Sequence, residues 1–256
     1  MPMRYRFVTV VILALVALAA CGPKKPEEQQ RKELSPTEKV RMADSFRNAG
    51  RMNEALEILE EAVAESPDSS RMHGIYGEYL FLAGRYVAAE EELNRALVLD
   101  PHLTDSRNWL GATLAEQERH AEAQEQYEWA LKDPAYPTPE LIHLNLGMLY
   151  RARGMDQEGV DAFRQAVQIN PRFFKAHLEL ALALESVGKL EEALDEIVVA
   201  EPAFRADGEY WYRRGFLEFR VRDPQRALES LRRCLDVSPG SPAAAQAREL
   251  MEMIKG

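Results

Sequence analysis

Three of the five histidines and both cysteines are the side chains in this sequence best suited to bind a metal or to react covalently. Imidazole is a common metal ligand, and His73, His143 and His177 each stand four residues before a small residue in a repeated helical pattern. That shared position belongs to the packed face of three different helices, so we expect the rings to pack and predict no metal site. The sequence has no phosphate-binding glycine loop, nucleophile elbow or HExxH motif. We therefore predict no catalytic residues and no enzyme activity.

The two cysteines differ in their surroundings. Two cysteines cannot build a disulfide framework. Cys234 takes the place of an alanine in the repeated pattern, where a buried thiol behaves as a small hydrophobic side chain. Cys21 ends an apolar segment and follows the residues Leu18-Ala19-Ala20. The thiol of Cys21 is therefore the reactive group that the sequence singles out.

Residues 1–20 are predicted to be a secretory signal. Arg4 and Arg6 precede an apolar run, Phe7 to Leu18, which is too short to cross a bilayer comfortably, since that takes about 20 residues. An ordinary signal followed by an incidental cysteine is one interpretation. The small residues before the cysteine, however, resemble the lipobox of bacterial lipoproteins.

The lipobox resemblance implies a covalent lipid. In that family the thiol, here of Cys21, receives a diacylglyceryl group, the signal is cut before it and the new amine is acylated. Gly22 stands where retained inner-membrane lipoproteins carry aspartate, so the resemblance implies a protein of the bacterial outer membrane that faces the periplasm. No cofactor is predicted apart from this lipid. Residues 21–35, which are polar and hold two prolines, are predicted to be a flexible tether.

The chain is acidic. Its formal charge is −10 at pH 7, and removal of Arg4 and Arg6 with the signal makes it −12. A nucleic-acid partner would call for a basic stripe, and acidic lipid headgroups would repel this surface. We therefore predict no nucleic-acid partner, no small-molecule substrate, and membrane attachment only through the lipid on Cys21.

Small residues recur in threes through most of the chain. The second follows the first by twelve residues, the third follows by seven more, and the trio returns every 34 residues with one step of 36. Only a residue with almost no side chain fits where two helices cross closely, and larger apolar residues flank these places at helical spacing. The trios are Ala43, Ala55, Ala62; Gly77, Ala89, Ala96; Gly111, Ala123, Ala130; Gly147, Gly159, Ala166; Ala181, Ala193, Ala200; and Gly215, Ala227, Cys234.

Turn and stop residues follow the same period. A glycine falls between the two helices of a repeat, and a proline five residues after the third small residue ends the second helix. Each of the two occurs in four of the six repeats, although not in the same four. The glycines are Gly50, Gly84, Gly154 and Gly188, and the prolines are Pro67, Pro101, Pro171 and Pro239.

On these residues, the range 36–241 is identified as six tetratricopeptide repeats. The resemblance implies an all-α superhelix, an α-solenoid of six helical hairpins, and 242–256 is predicted to be a C-terminal capping helix. Glu118 and Arg222 depart from the pattern, because they occupy the turn-glycine place. Trp211 is the one first-helix tryptophan at the place where the family often has it.

The step of 36 residues falls at 133–139, which holds three prolines. One interpretation is a tolerated loop insertion. The other is a junction between two lobes of three repeats each, with Tyr136 exposed to a partner.

The predicted binding site is the inner surface of the superhelix. In this repeat the inner groove is lined by first-helix residues three before, one after, and four or five after the first small residue. These positions become more apolar toward the C-terminus, and an apolar groove accepts an amphipathic helix or an extended peptide. Several of them are equally well explained as core contacts between repeats. The groove residues predicted are Val40, Phe81, Leu144, Met148, Leu178, Leu182, Tyr212 and Phe216.

The whole layout resembles the pilotin lipoproteins of type IV pilus biogenesis. The local match is Leu131-Lys132-Asp133-Pro134-Ala135-Tyr136-Pro137, followed by Asn145-Leu146-Gly147, after a third repeat with a longer linker. The resemblance implies a protein that helps the secretin pore reach the outer membrane and multimerise, with secretin subunits as partners and the early repeats implicated. The alternative is a general periplasmic adaptor of a cell-wall or polysaccharide-export complex, because the fold alone does not choose between them.

Overall fold

The computed structural model describes residues 34–256, in which every regular element is a helix. The predicted signal, the lipid site at Cys21 and most of the predicted tether lie outside the described residues. The helices are α1 (Pro36–Asn48), α2 (Met52–Glu65), α3 (Ser70–Leu82), α4 (Tyr86–Leu99), α5 (Thr104–Glu116), α6 (His120–Ala130), α7 (Pro139–Ala152), α8 (Asp156–Ile169), α9 (Phe174–Ser186), α10 (Leu190–Phe204), α11 (Gly208–Arg220), α12 (Pro224–Val237) and α13 (Pro242–Lys255).

Successive helices pair as hairpins, and each hairpin packs on the next. Helices α1 to α12 form six such pairs, and α13 packs against α11 and α12 at the C-terminal end. Its buried face consists of Ala243, Ala244, Ala247, Leu250 and Met251. The predicted all-α solenoid of six hairpins with a final capping helix is therefore confirmed.

The first small residue of a repeat marks the closest approach of its two helices. A Cβ atom added at Gly147 would lie 2.5 Å from Cε1 of Phe163, and one added at Gly111 would lie 2.6 Å from Cε1 of Tyr127. Both distances are far below van der Waals contact. Glycine is required at these two places because an aromatic ring of the second helix lies directly over the backbone.

The turn within each hairpin uses a left-handed residue. Gly84 has φ of +73°. Two backbone hydrogen bonds close the helix here: Gly84 N–H donates to the Phe81 carbonyl at 2.8 Å, and Arg85 N–H donates to the Leu80 carbonyl at 2.9 Å. Glu118 and Arg222, which replace the glycine in two repeats, adopt the same conformation, with φ of 60° and 65°. The left-handed turn is thus kept even in the two repeats where the turn residue carries a side chain that disfavours this conformation.

The position four residues before the first small residue ties four of the six repeats to the loop before them. His73 Nε2 lies 2.9 Å from the Pro67 carbonyl oxygen, and His177 Nε2 lies 3.1 Å from that of Pro171. Arg107 and Trp211 donate from the same position to the carbonyls of Pro101 and Arg205. A ring or guanidinium nitrogen therefore satisfies the same loop carbonyl in four repeats.

The longer linker before α7 is packed into the fold. Tyr136 is only 8% exposed, and its hydroxyl donates a hydrogen bond to Asp105 Oδ1 at 3.0 Å. The hypothesis that Tyr136 is exposed to a partner is wrong, because the ring fills the gap that the insertion would otherwise leave.

The hydrophobic core divides into two clusters, and the division does not fall at the insertion. Ile142, Leu146 and Leu149 of α7 belong to the N-terminal cluster. Leu144 of the same helix and Phe163 of α8 belong to the C-terminal cluster. The two parts of the core therefore meet within the fourth hairpin, and α7 contributes to both.

Candidate functional site

The inner face of the middle repeats forms an open groove of about 700 Å³, here called the central groove. Its walls come from α3, α5 and α7, with His120 and Tyr127 of α6 behind them and α9 at one end. The wall is mostly apolar, and the rings of Phe81 and Trp109 contact each other in it with centroids 5.3 Å apart. Its principal apolar residues are Phe81, Trp109, Leu141, Leu144, Met148 and Leu149.

Helix α7 supplies the longest side of the central groove. Leu141, Leu144, Met148 and Ala152 lie three to four residues apart and so follow one stripe of the helix. Leu141 and Met148 keep 37% and 44% of their surface exposed, whereas Leu144 is buried beneath them. Large apolar side chains open to solvent in a concave surface mark a place where another apolar chain can bind.

Two amides interrupt this apolar wall. Asn145 Nδ2 donates to Asn108 Oδ1 at 2.8 Å, which links α7 to α5 across the groove. Each side-chain amide has two N–H donors and a carbonyl oxygen. This one bond uses an N–H of Asn145 and the oxygen of Asn108, so the pair keeps further N–H donors and the Asn145 oxygen as an acceptor. The amides can hydrogen-bond the backbone of a chain lying in the groove.

Carboxylates lie beside the central groove toward the N-terminal repeats. Arg47 bridges two of them, at 3.0 Å from Asp44 Oδ1 and 3.6 Å from Glu78 Oε1. Burial raises the pKa of Glu78 above its ordinary value; Arg47 opposes this shift, while the charges of Asp105 and Asp44 reinforce it. One guanidinium therefore serves Asp44 and Glu78, and the charge of Asp105 nearby makes the local charge negative.

The predicted groove residues fall into two sets. Phe81, Leu144 and Met148 line the central groove. The others lie elsewhere along the first helices: Val40 packs against the N-terminal cluster, Leu178, Tyr212 and Phe216 pack against the C-terminal cluster, and Leu182 is half-buried on α9.

Sequence reasoning missed Trp109, Leu141, Asn145 and Leu149, which also line the groove. The positions taken from the repeat describe a regular superhelix and leave these residues out. The signal that could have found Leu141 and Leu149 is the apolar stripe of α7 itself, which is wider than the repeat positions alone predict.

Residues 34–256 contain no group of three or more histidine, cysteine, aspartate or glutamate side chains placed to hold a metal ion. None of the helices described there is long and apolar enough to cross a bilayer. Cys234 is buried, and burial raises the pKa of its thiol, which keeps it protonated and unreactive at neutral pH.

Comparison with known proteins identifies the fold family. The family model described as tetratricopeptide repeat matches residues 40–103, 110–172 and 144–207, together more than half of the chain. The chain belongs to the tetratricopeptide repeat family. Human protein O-mannosyl-transferase TMTC1 is 26% identical over 152 residues, which make up 58% of this chain and 17% of that protein. The tetratricopeptide chain thus spans less than a fifth of this curated relative.

Solved structures show the same superhelix. PilF of Pseudomonas aeruginosa superimposes with a TM-score of 0.73 at 20% identity, covering 86% of this chain and 99% of that one. PilW, described as a widely conserved type IV pilus biogenesis factor, gives 0.74 at 20% identity, covering 86% and 98%. YrrB, a tetratricopeptide protein with an unusual peptide-binding site, gives 0.58 at 19% identity over 75% and 97%. The tetratricopeptide chain therefore resembles pilus biogenesis proteins in fold over nearly their whole length.

Proposed function

We propose that this tetratricopeptide protein is a non-enzymatic scaffold of type IV pilus biogenesis that binds a segment of a secretin subunit in its central groove. The observation that carries the proposal is the open apolar stripe of α7, with Leu141 and Met148 exposed in a concave wall. The likeness to PilF and PilW, which spans almost the full length of both, supports the choice of pilus assembly.

The lipid proposed on Cys21 would hold the scaffold at the inner leaflet of the outer membrane. A tethered scaffold raises the effective concentration of any bound subunit at that surface without a new contact. The central groove would hold one segment of each secretin subunit until the ring closes. Both parts act by positioning other chains, and neither needs a bond to be made or broken.

Two groove substitutions test the binding role. Met148→Glu and Leu141→Glu place a charge in the central groove at side chains that are already partly exposed, so the helices should fold normally. We expect the yield of detergent-resistant secretin multimers to fall in cells carrying either variant. Val98→Glu is the matched control, because Val98 is 72% exposed on α4, a second helix that supplies no wall of the groove.

Normal multimers in both groove variants, or in a strain that lacks the gene, would overturn the secretin role. Altered cell shape or exported polysaccharide in that strain, with normal pili, would favour the periplasmic adaptor.

The anchor is tested separately by labelling with a radioactive fatty acid. Wild-type protein should be labelled and float with outer membranes, and Cys21→Ser should lose both properties.

A further inference from the structure

The inner surface changes from acidic to apolar along the solenoid. The residue that follows the first small residue of each repeat shows the change most directly, because it occupies the same inner position six times. From the first repeat to the sixth it is Asp44, Glu78, Ala112, Met148, Leu182 and Phe216. At this inner position only the first two repeats are acidic. Glu116 and Glu118 also line the central groove, at the end of α5 and in the turn after it, and Lys175 lines it on α9.

The acidic part and the groove are continuous. Glu78 lies one helical turn before Phe81 on α3, and Asp105 lies one turn before Asn108 on α5. Phe81 and Asn108 both line the central groove. A segment lying in the groove and extending toward the N-terminal repeats therefore passes over Glu78 and Asp105.

The negative charges of Asp44, Glu78 and Asp105 outnumber the cation beside them, although Asp44 and Asp105 each accept a hydrogen bond from a tyrosine hydroxyl. Arg47 is 3.6 Å from Glu78 and also contacts Asp44, so one guanidinium serves two carboxylates. The side chain of Glu78 is only 28% exposed, which limits its hydration. An added cation here would gain favourable contacts, whereas an added carboxylate would meet repulsion.

We propose that the occupant of the central groove is an apolar segment flanked on one side by lysine or arginine residues, bound with those basic residues over Glu78 and Asp105. The polarity follows from the arrangement: apolar side chains contact α7, and the basic flank points toward the first two repeats. This inference rests on the proposed function only in using the same groove, since it specifies the chemistry of the segment and its direction.

Three synthetic peptides test the proposal with the full chain purified in detergent. They share one apolar core of leucine, valine and phenylalanine, and carry two lysines, two serines or two glutamates at one end. Binding is followed by the fluorescence of Trp109, which lies in the groove wall, with Trp109→Phe identifying its contribution. We expect the lysine peptide to bind most tightly and the glutamate peptide most weakly, with the difference reduced by salt.

Charge-neutral variants locate the contact. Glu78→Gln and Asp105→Asn should each weaken the lysine peptide about three- to tenfold and leave the serine peptide unchanged. Glu125→Gln is the matched control, since it removes the same charge from an exposed site on α6, a second helix. Met148→Glu should weaken all three peptides.

Equal affinity for the three peptides, or failure of all of them to bind, would overturn the proposal. So would an equal effect of Glu125→Gln and Glu78→Gln. The secretin role fails independently: selective binding of the lysine peptide together with normal secretin multimers in the groove variants would overturn that role alone. Lost multimers together with equal peptide affinities would overturn the charge assignment alone.

Discussion

Where α7 crosses α8, residue 147 is a glycine, and alanine at this place would add one methyl group. The ring of Phe163 occupies the space in which a Cβ of residue 147 would lie. Alanine stands at the equivalent position in the first and fifth repeats, as Ala43 and Ala181, so the family pattern tolerates either residue. At Gly147 the group that an added Cβ would meet is the Phe163 ring, whereas at Gly77 it is the Leu93 side chain.

Gly147→Ala should therefore destabilise the protein although alanine is the better helix former. Overpacking typically costs about 1–3 kcal/mol, against a gain of about 1 kcal/mol in helix propensity. Urea unfolding measures the net loss. In a Phe163→Leu background the loss should shrink, because leucine can move away from the added methyl group. Gly240→Ala, where nothing lies within 4 Å of the added carbon, is the control; an equal cost at both glycines would contradict the explanation.

Tyr136 gives a second residue-scale test, by titration. Burial raises the pKa of its phenol to about 12; a hydrogen bond with Thr138 acts against the shift, while the charge of Asp105 and a hydrogen bond to it add to the increase. The protonated phenol is thus favoured in the folded state, so its contribution to stability is present below the ordinary pKa near 10 and is lost as the pH rises through about 12.

Tyr136→Phe should remove a step near pH 12 from the ultraviolet titration of tyrosinate. Between about pH 10 and 12 the free energy of unfolding of the wild-type protein should fall more steeply than that of the variant. A difference titration with its midpoint near 10 would show that the ring is not held in the packed linker.

At the scale of elements, the left-handed turn inside a hairpin costs conformational free energy in the two repeats where the turn residue is not glycine. A residue with a Cβ in the left-handed region is disfavoured by about 1–2 kcal/mol relative to its ordinary conformation. Glu118 and Arg222 lie there because the α5–α6 and α11–α12 hairpins need the same closure as the others.

Glu118→Gly and Arg222→Gly should relieve this strain. Glycine loses more backbone entropy on folding, so we expect a net stabilisation of up to about 1 kcal/mol for each. Hydrogen exchange of the affected hairpin is the sharpest measurement, because stability in stacked repeats is local. The reverse change, Gly84→Ala, at a turn that is also left-handed, should destabilise its hairpin. If the changes to glycine and the change to alanine shifted the free energy of unfolding in the same direction, the strain argument would be contradicted.

Helices were the part of the fold that sequence could predict. Their apolar spacing, turn glycines and stop prolines act within one repeat, so they can be read locally. The burial of Tyr136 could not be read in that way, because its partner Asp105 is 31 residues away and reaches it only after stacking. The groove was predicted in part for the same reason: the stripe of α7 is local, but the joining of Asn145 to Asn108 depends on how neighbouring repeats pack.

At the scale of the whole molecule, the end of the solenoid needs a closing element. Leu250 is 3% exposed on the buried side of α13, while Met253 on the same helix is 68% exposed. Leu250→Ala should therefore cost about 2 kcal/mol or more, whereas Met253→Ala should cost little.

The loss should be confined to one end. In Leu250→Ala, hydrogen exchange should accelerate in α11 to α13 before it changes in α1 and α2, because each repeat contacts only its neighbours. Uniform acceleration along the chain would show instead that the described helices unfold as a single cooperative unit.

Helix α7 belongs to both halves of the core and also forms the long side of the central groove. Any flexing of the ribbon that tilts one half against the other must move this helix, and with it Leu141 and Met148. The curvature of the solenoid and the shape of the central groove are thus coupled through this one helix.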